Sequence, residues 1–361
     1  MVNTGLNRAF GTALRRAISN STSNRIKAFF MGMTVAAVLQ SSTATSLIVS
    51  SFSARSIITI ASAIAVMLGA DVGTTLAAQV MSLDLRWLVP VMISAGYVVN
   101  KSMDEGQYKH VGRAMIGIGL TLLALKMITT VAEPLKHSDA LHVLIGPLGD
   151  QPVLAVILSA LLTWLVHSSL GMVLLYVGFV SAGTIPVDLG LYLVLGANIG
   201  GALAPVVMTL RDIPAGRRVP LGNLVIRALG VIFVLPFMST LVLPAISLIH
   251  SDPSRILVNF HTAFNLALAI VFLPFIGHLT RLSEVVLPDR PKEENDDLPH
   301  YLDPVAIATP PAALACAERE TLRVCDTIQA MLLKTMEAFR SNDTRIVHAI
   351  RAKEVIVDHL Y

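Results

Sequence analysis

The chain has 361 residues, of which 54% are hydrophobic and 14% charged, with a mean hydropathy of +0.69 and a formal net charge of +3. A soluble domain carries about 25% charged residues, so an ordinary soluble enzyme is excluded. A surplus of +3 is also too small to argue for nucleic acid. What remains is an α-helical integral membrane protein with a polar C-terminal appendage.

In chain order, Met1–Lys27 is basic and amphipathic and lacks the apolar core of a cleavable signal peptide. Eight apolar segments follow: Ala28–Ser53, Ile57–Val80, Trp87–Val99, Val111–Val131, Pro152–Val180, Val187–Leu210, Val219–Leu248 and Ile256–Leu279. Trp87–Val99 is short for a hydrocarbon core about 30 Å thick. From Arg281 onward the charge density rises, and Pro288–Pro311 reads as a charged, proline-punctuated linker. Ala312–Arg340 and Asn342–Tyr361 read as two amphipathic helices, the first carrying Cys325, Ile328, Leu332, Met336 and Phe339 on one face. So short a pair leaves that face uncovered, which points to a truncated domain. Cys316 and Cys325, the only cysteines, lack metal-ligand spacing and read as free cytosolic thiols.

An offset of 127 residues aligns Met33–Leu76 with Ala160–Leu203 without gaps and with ten identities. Gln40-Ser41-Ser42 falls on His167-Ser168-Ser169, and Gly69-Ala70-Asp71-Val72-Gly73 on Gly196-Ala197-Asn198-Ile199-Gly200. Both polar clusters coincide, which marks a duplicated unit.

Basic residues bear on its orientation. If Ala28–Ser53 and Pro152–Val180 are re-entrant hairpins, the N-terminal segment, Arg55 and the loops at 101–113, 211–218 and 281–292 share one face. Arg86, Lys136 and Arg255 then lie on the other. Full crossing of both segments mixes the two groups, so the positive-inside rule favours re-entry, and the two repeats are expected to be inverted.

A Ser-Ser-Thr cluster inside an apolar run has to satisfy its hydroxyls. Bonding back to a carbonyl one turn earlier is the ordinary solution. The same cluster in both inverted halves favours interrupted helices, whose half-helix N-termini and free N–H groups at the midplane suit an anion. Freed carbonyls, Thr hydroxyls and a carboxylate suit Na⁺.

These residues resemble the type II sodium–phosphate cotransporter family, which has bacterial members. Gln40-Ser41-Ser42-Thr43, Gly196-Ala197-Asn198-Ile199-Gly200 and His261-Thr262-Ala263-Phe264-Asn265 each look like a family stretch. The tail, including Lys353–Tyr361, resembles a PhoU-like helical domain. The resemblance implies an all-α polytopic membrane protein of two inverted repeats, each with a re-entrant helical hairpin, plus a short cytosolic helical tail. Residues 1–281 would be the transport domain (repeat 1 about 1–133, repeat 2 about 134–281), 282–311 the linker and 312–361 the partial PhoU-like domain. Gln40, Ser41, Ser42, Thr43, His167, Ser168, Ser169 and Asn198 would contact phosphate, and Asp71, Thr74, Thr75 and Asn198 would contact Na⁺. Glu354 and Asp358, one turn apart, would hold a metal, although a solvated face explains them as well.

The chain departs from the family at His167 and Leu170, which replace a Gln and a hydroxyl residue, and at Asp71 and Gly201, which replace an Asn and a Thr. It also begins where family members already have one earlier helix, so both ends are expected to be incomplete.

Asp71 could bind Na⁺, carry a proton, or accept from backbone N–H groups between Gly69 and Gly73. His167 could donate to phosphate or simply replace a Gln. Lys126 and Arg227 read as cations snorkelling to an interface, the alternative being a positive field for an anion. The Gly69–Gly73 spacing suits close helix packing.

The expected function is Na⁺-coupled transport of inorganic phosphate across the bacterial cytoplasmic membrane, with the C-terminus cytosolic. The alternatives are a proton-coupled transporter of another small anion and a transport-inactive phosphate sensor. Phosphate, Na⁺ and the bilayer are the expected partners, with a homodimer and a cytosolic partner of the tail as further candidates. No cofactor is expected beyond Na⁺ as coupling ion. No nucleophile–base pair is visible, so an enzyme is not expected.

Overall fold

The computed structural model describes residues 4–6, 8–10, 13, 18, 24–83, 85, 87–102, 106–132, 134, 138, 147–289, 299–302, 306–307, 310–341 and 344–360. Arg86, Lys136, most of the basic segment before Asn24, much of the linker between 290 and 309, and Tyr361 lie outside them. The described residues are helical, without strands, and divide into two units, Met1–Pro288 and Asp289–Tyr361.

The first unit contains α1 (Arg25–Leu39), α2 (Ser42–Ala54), α3 (Ile60–Met81), α4 (Leu88–Ser102) and α5 (Gln107–Ala132). It continues with α6 (Pro152–Val166), α7 (Ser169–Ser181), α8 (Val187–Met208), α9 (Pro214–Val234), α10 (Leu243–Ser247) and α11 (Pro253–Val286). Among the described residues, five helical stretches are long and apolar enough to cross a membrane: α3, α5, α8, the run Pro214–Ser247 and α11. Two of the eight apolar segments read from the sequence are each two helices here, α1–α2 and α6–α7. The run after α9 passes through a 3₁₀ turn at Leu235–Phe237 and a π turn at Met238–Val242 before α10. Pro236 and Pro244, which have no N–H to donate, account for that irregular ladder.

Three consecutive helices recur in the second half at an offset of 127 residues: α6 repeats α1, α7 repeats α2 and α8 repeats α3, with identical lengths. The packing recurs as well. In lipid, apolar side chains gain little from meeting each other, so helices associate where small residues let backbones approach. A Cβ placed on Gly69 would stand 1.8 Å from the Phe29 carbonyl oxygen, and one on Gly73 would stand 2.2 Å from that of Met33. Their counterparts Gly196 and Gly200 meet the carbonyls of Val156 and Ala160 at 2.3 and 2.2 Å. The glycine pairs therefore bring α1 onto α3 and α6 onto α8 at backbone contact.

The halves also hold each other. Ser50 and Ser53 near the end of α2 donate to the carbonyls of Gly216 and Ala215 at the start of α9, at 2.7 and 3.1 Å. Gln79 of α3 donates to Asn259 and Thr262 of α11 at 3.1 and 3.0 Å.

In the second unit, α12 (Pro310–Ser341) and α13 (Thr344–Leu360) lie against each other. Glu320 accepts from the backbone N–H groups of His300 and Tyr301, tying the preceding segment to α12. Leu332, Met336 and Phe339 are exposed on α12, as are Glu354 and Asp358 on α13. Both cysteines are free thiols, Cys316 buried and Cys325 exposed. Among the described residues, no group of three or more His, Cys, Asp and Glu side chains gathers as a metal site.

Candidate functional site

Each repeat is interrupted in the same way. Leu39 closes α1, and Gln40 then adopts a left-handed conformation at φ 54°, ψ 34°. Ser41 is extended, and its hydroxyl accepts from the N–H of Ala44 at 3.1 Å, capping α2. In the second half, His167 takes φ 57°, ψ 27°, and Ser168 caps α7 by accepting from Gly171 at 3.1 Å. A left-handed residue reverses the winding and ends the helix, and a serine cap starts the next.

Non-glycine residues pay about 1–2 kcal/mol for that conformation. Among the described residues only Gln40, Ser56 and His167 adopt it, so two of the three sit at the matched breaks. The caps satisfy one first-turn amide each. The N–H groups of Ser42 and Thr43, and of Ser169 and Leu170, have no acceptor within their own helices.

The two breaks reach one cavity of about 520 Å³, lined by Gln40 from the first and by Ser168 and Gly171 from the second. α5 closes another side with Thr121 among apolar residues. Ser42 and Ser169 are buried, while Ser41, Thr43 and Ser168 are partly covered. His167 is exposed, stands outside the lining of the cavity, and turns Nδ1 to the Leu165 carbonyl at 3.0 Å. Ser41 and Ser168 thus act as helix caps, whereas Thr45 bonds back to the carbonyl of Ser41 at 3.0 Å.

The residues expected to meet Na⁺, Asp71, Thr74, Thr75 and Asn198, are buried and stand outside the lining of the cavity. Thr74 and Thr75 donate back to the carbonyls of Asp71 and Val72 at 2.9 and 2.7 Å. Asp71 receives a two-pronged contact from Arg227 of α9: Nε donates to Oδ2 at 3.0 Å, and Nη2 meets Oδ1. The third arm of the guanidinium, Nη1, donates to the carbonyl oxygen of Asn198 at 2.6 Å. Asn198 is fully buried; its amide donates back to Val194 at 2.8 Å, and its Oδ1 accepts from Asn265 of α11 at 2.9 Å. The network joins α3, α8, α9 and α11.

Arg227 corrects the sequence-based expectation. It is 2% exposed and does not snorkel to an interface; its positive charge stays inside the protein against a carboxylate. Lys126, by contrast, lies on the exposed face of α5. Asp71 turns to a side chain from the other half, not to the neighbouring backbone. Sequence reasoning named both members of this pair and missed that they meet. It also missed Asn223 and Ser46, whose buried side-chain oxygens have no hydrogen-bond partner among the described residues.

Comparison with known proteins places the chain. A family model described as Na⁺/Pi-cotransporter matches residues 1–130 and 135–273. Proteins named "Putative inorganic phosphate export protein YjbB" from Escherichia coli (strain K12) and Salmonella typhimurium are 35% and 34% identical, each over 92% of this chain. The chain spans 61% of the length of these relatives. "Uncharacterized protein YqeW" of Bacillus subtilis is 25% identical over 74% of this chain and 86% of its own length. No solved structure matches. With both halves matched by the family model and a third of the positions shared with these relatives, the chain belongs to the Na⁺/Pi-cotransporter family.

Proposed function

We propose that the protein carries inorganic phosphate across the bacterial cytoplasmic membrane in exchange for the free energy of a Na⁺ gradient, with the matched helix breaks forming its site. The observation that carries this reading is the convergence of two equivalent breaks, at Gln40-Ser41 and His167-Ser168, on one cavity. Half-helix N-termini offer N–H groups and a positive dipole end to an oxyanion without a fixed net charge, so the anion is held and released again. Gln40, Ser41, Ser42 and Thr43 act from the first break, and Ser168 and Ser169 from the second. His167 contributes after a side-chain rotation away from Leu165. Asn198 supports the site from α8.

The halves act as inverted repeats whose broken helices are re-entrant hairpins, an arrangement that places a site near the midplane and lets two gates alternate. Na⁺ is coordinated by oxygens of the buried cluster: Asp71, Thr74, Thr75 and Asn198. Asp71 serves a cation once Arg227 turns elsewhere, which links cation entry to a change in the ion pair. The tail lies in the cytosol as a regulatory or partner-binding module.

The test is flux of radiolabelled phosphate in proteoliposomes holding the full chain, with an imposed Na⁺ gradient or a matched K⁺ gradient. Na⁺-dependent flux is expected. Equal flux under both gradients overturns the coupling, and absence of flux from correctly folded protein that still binds phosphate moves the reading to a sensor. The naming of the relatives as phosphate export proteins favours outward net movement, which phosphate loaded inside the vesicles reads directly.

A further inference from the structure

Three of the side chains that line the cavity are polar: Gln40, Thr121 and Ser168. Among the described residues, no charged side chain lines it. An oxyanion in that space therefore meets few side-chain partners, and what each can donate or accept decides which anion fits.

The three differ in that respect. Ser168 Oγ accepts from the N–H of Gly171 at 3.1 Å, and no described residue accepts its proton, so it has a donor left to offer. The Gln40 amide carries both N–H donors and a carbonyl acceptor, and it can turn either to a ligand. Thr121 is the reverse of Ser168. Its hydroxyl donates back to the Gly117 carbonyl at 2.9 Å, one turn earlier in α5. With that proton committed, the oxygen presents lone pairs alone. Gly117, Ala124, Leu125 and Ile128 line the cavity beside it at helical spacing, whereas the neighbouring Lys126 and Met127 are exposed on another face. Thr121 thus belongs to the wall that α5 turns to the cavity.

We propose that Thr121 is a specificity-determining residue of the anion site, an acceptor that selects a tetrahedral oxyanion still carrying a proton. The inference rests on the phosphate reading above and adds to it how phosphate is told from other oxyanions. At neutral pH inorganic phosphate and arsenate keep at least one O–H, and sulfate, of the same shape, keeps none. Phosphate turns its O–H to Thr121 while its other oxygens take N–H groups of the breaks and the proton of Ser168. Sulfate sets lone pairs against the threonine oxygen, which leaves two acceptors facing each other between apolar walls. A site built to hydrogen-bond a substrate hydroxyl rejects an analogue without it strongly, because a buried polar group is left unpaired.

Calorimetric titration of the full chain in detergent with inorganic phosphate, arsenate and sulfate at neutral pH tests this. The unaltered chain is expected to bind phosphate and arsenate about tenfold or more tighter than sulfate, the scale of one buried hydrogen bond. Thr121→Val keeps the shape of the side chain and removes the acceptor. Phosphate and arsenate are then expected to weaken by about tenfold, while sulfate binding holds or tightens, so that the ratio collapses. Thr121→Ser keeps the hydroxyl and is expected to keep the ratio. A hydroxyl that only bonds back to its own helix would shift all three anions alike.

If Thr121→Val does not fold, Thr121→Ala reads the same ratio. A folded Val or Ala variant that binds phosphate as the unaltered chain does, or that weakens phosphate and sulfate equally, overturns the acceptor role and leaves the transport reading standing. An unaltered chain that binds sulfate as tightly as phosphate overturns the selectivity in the same way. An unaltered chain that binds none of the three overturns the inference and the phosphate reading together.

Discussion

Asp71 and Arg227, 156 residues apart in sequence, form a buried ion pair that joins α3 of the first half to α9 of the second. Neither charge reaches solvent, and each is intelligible only through the other. Removing one partner leaves an uncompensated charge in a low-dielectric interior, which costs about 3–5 kcal/mol, whereas replacing both by apolar residues of similar volume is often neutral. Arg227→Met alone is therefore expected to lower the unfolding temperature sharply in detergent without phosphate. The double variant Asp71→Leu with Arg227→Met is expected to recover most of that loss. A double variant no more stable than the worse single one would show that the pair is not the source of the effect.

The glycine contacts give a second expectation. Gly69→Ala and Gly196→Ala each push a methyl group onto a backbone carbonyl, at 1.8 Å from Phe29 and 2.3 Å from Val156. Backbone cannot yield as a flexible side chain does, so α1–α3 and α6–α8 have to separate, at an overpacking cost of about 1–3 kcal/mol or more. Gly277→Ala is the internal control: its nearest neighbour is the flexible tip of Arg25 at 3.7 Å, and alanine is the better helix former by about 1 kcal/mol. Thermal unfolding of the three variants should split them by sign. Equal behaviour would refute the close-approach account.

Much of this was legible in the chain itself. The apolar segments predict the long helices with ends up to seven residues off, because hydropathy governs which stretches can cross lipid but not where a helix runs on past it. The 127-residue offset, read from Ser41/Ser168 and Gly69/Gly196, returns in three pairs of helices of equal length. What periodicity could not reveal is tertiary. Arg227 looks like an interfacial cation until α9 is packed against α3. Gly201 reads as a lost hydroxyl until α8 is packed against α7, where a Cβ on it would stand 2.9 Å from Ser169 Cβ. His167 was paired with Gln40 by sequence, and the backbone agrees, since both are left-handed. Their side chains diverge: Gln40 lines the cavity and His167 does not.

The tail carries a pH-dependent contact. Burial pushes the Glu320 carboxyl up, but the N–H of Tyr301, the Arg323 guanidinium and the N–H of His300 outweigh it and hold the group below its ordinary value. A carboxylate with a depressed folded value stabilises the structure above its unfolded value and loses that contribution as pH falls through the folded one. Hydrogen exchange at His300 and Tyr301 in the full chain is thus expected to be slow at neutral pH and to quicken as the medium passes below the ordinary carboxylate range. Glu320→Gln should exchange faster at neutral pH and flatten the profile. A Gln variant with the same pH profile would assign the protection to another group.

Gln40 separates the needs of the backbone from those of the site. Its left-handed conformation costs a non-glycine residue about 1–2 kcal/mol, and glycine adopts it freely. Gln40→Gly relieves that strain and deletes the amide that faces the cavity; Gln40→Ala deletes the amide and keeps the strain. If the glutamine is retained for its amide, both variants lose phosphate binding to a similar degree while their stabilities diverge. The glycine variant is expected to equal or exceed the unaltered chain in unfolding temperature, and the alanine variant to fall below the glycine one. Phosphate titration beside thermal unfolding checks both halves of the argument. Full binding in Gln40→Gly would show that the position matters only for turning the chain between α1 and α2, and the first break would then act through Ser41, Ser42 and Thr43 alone.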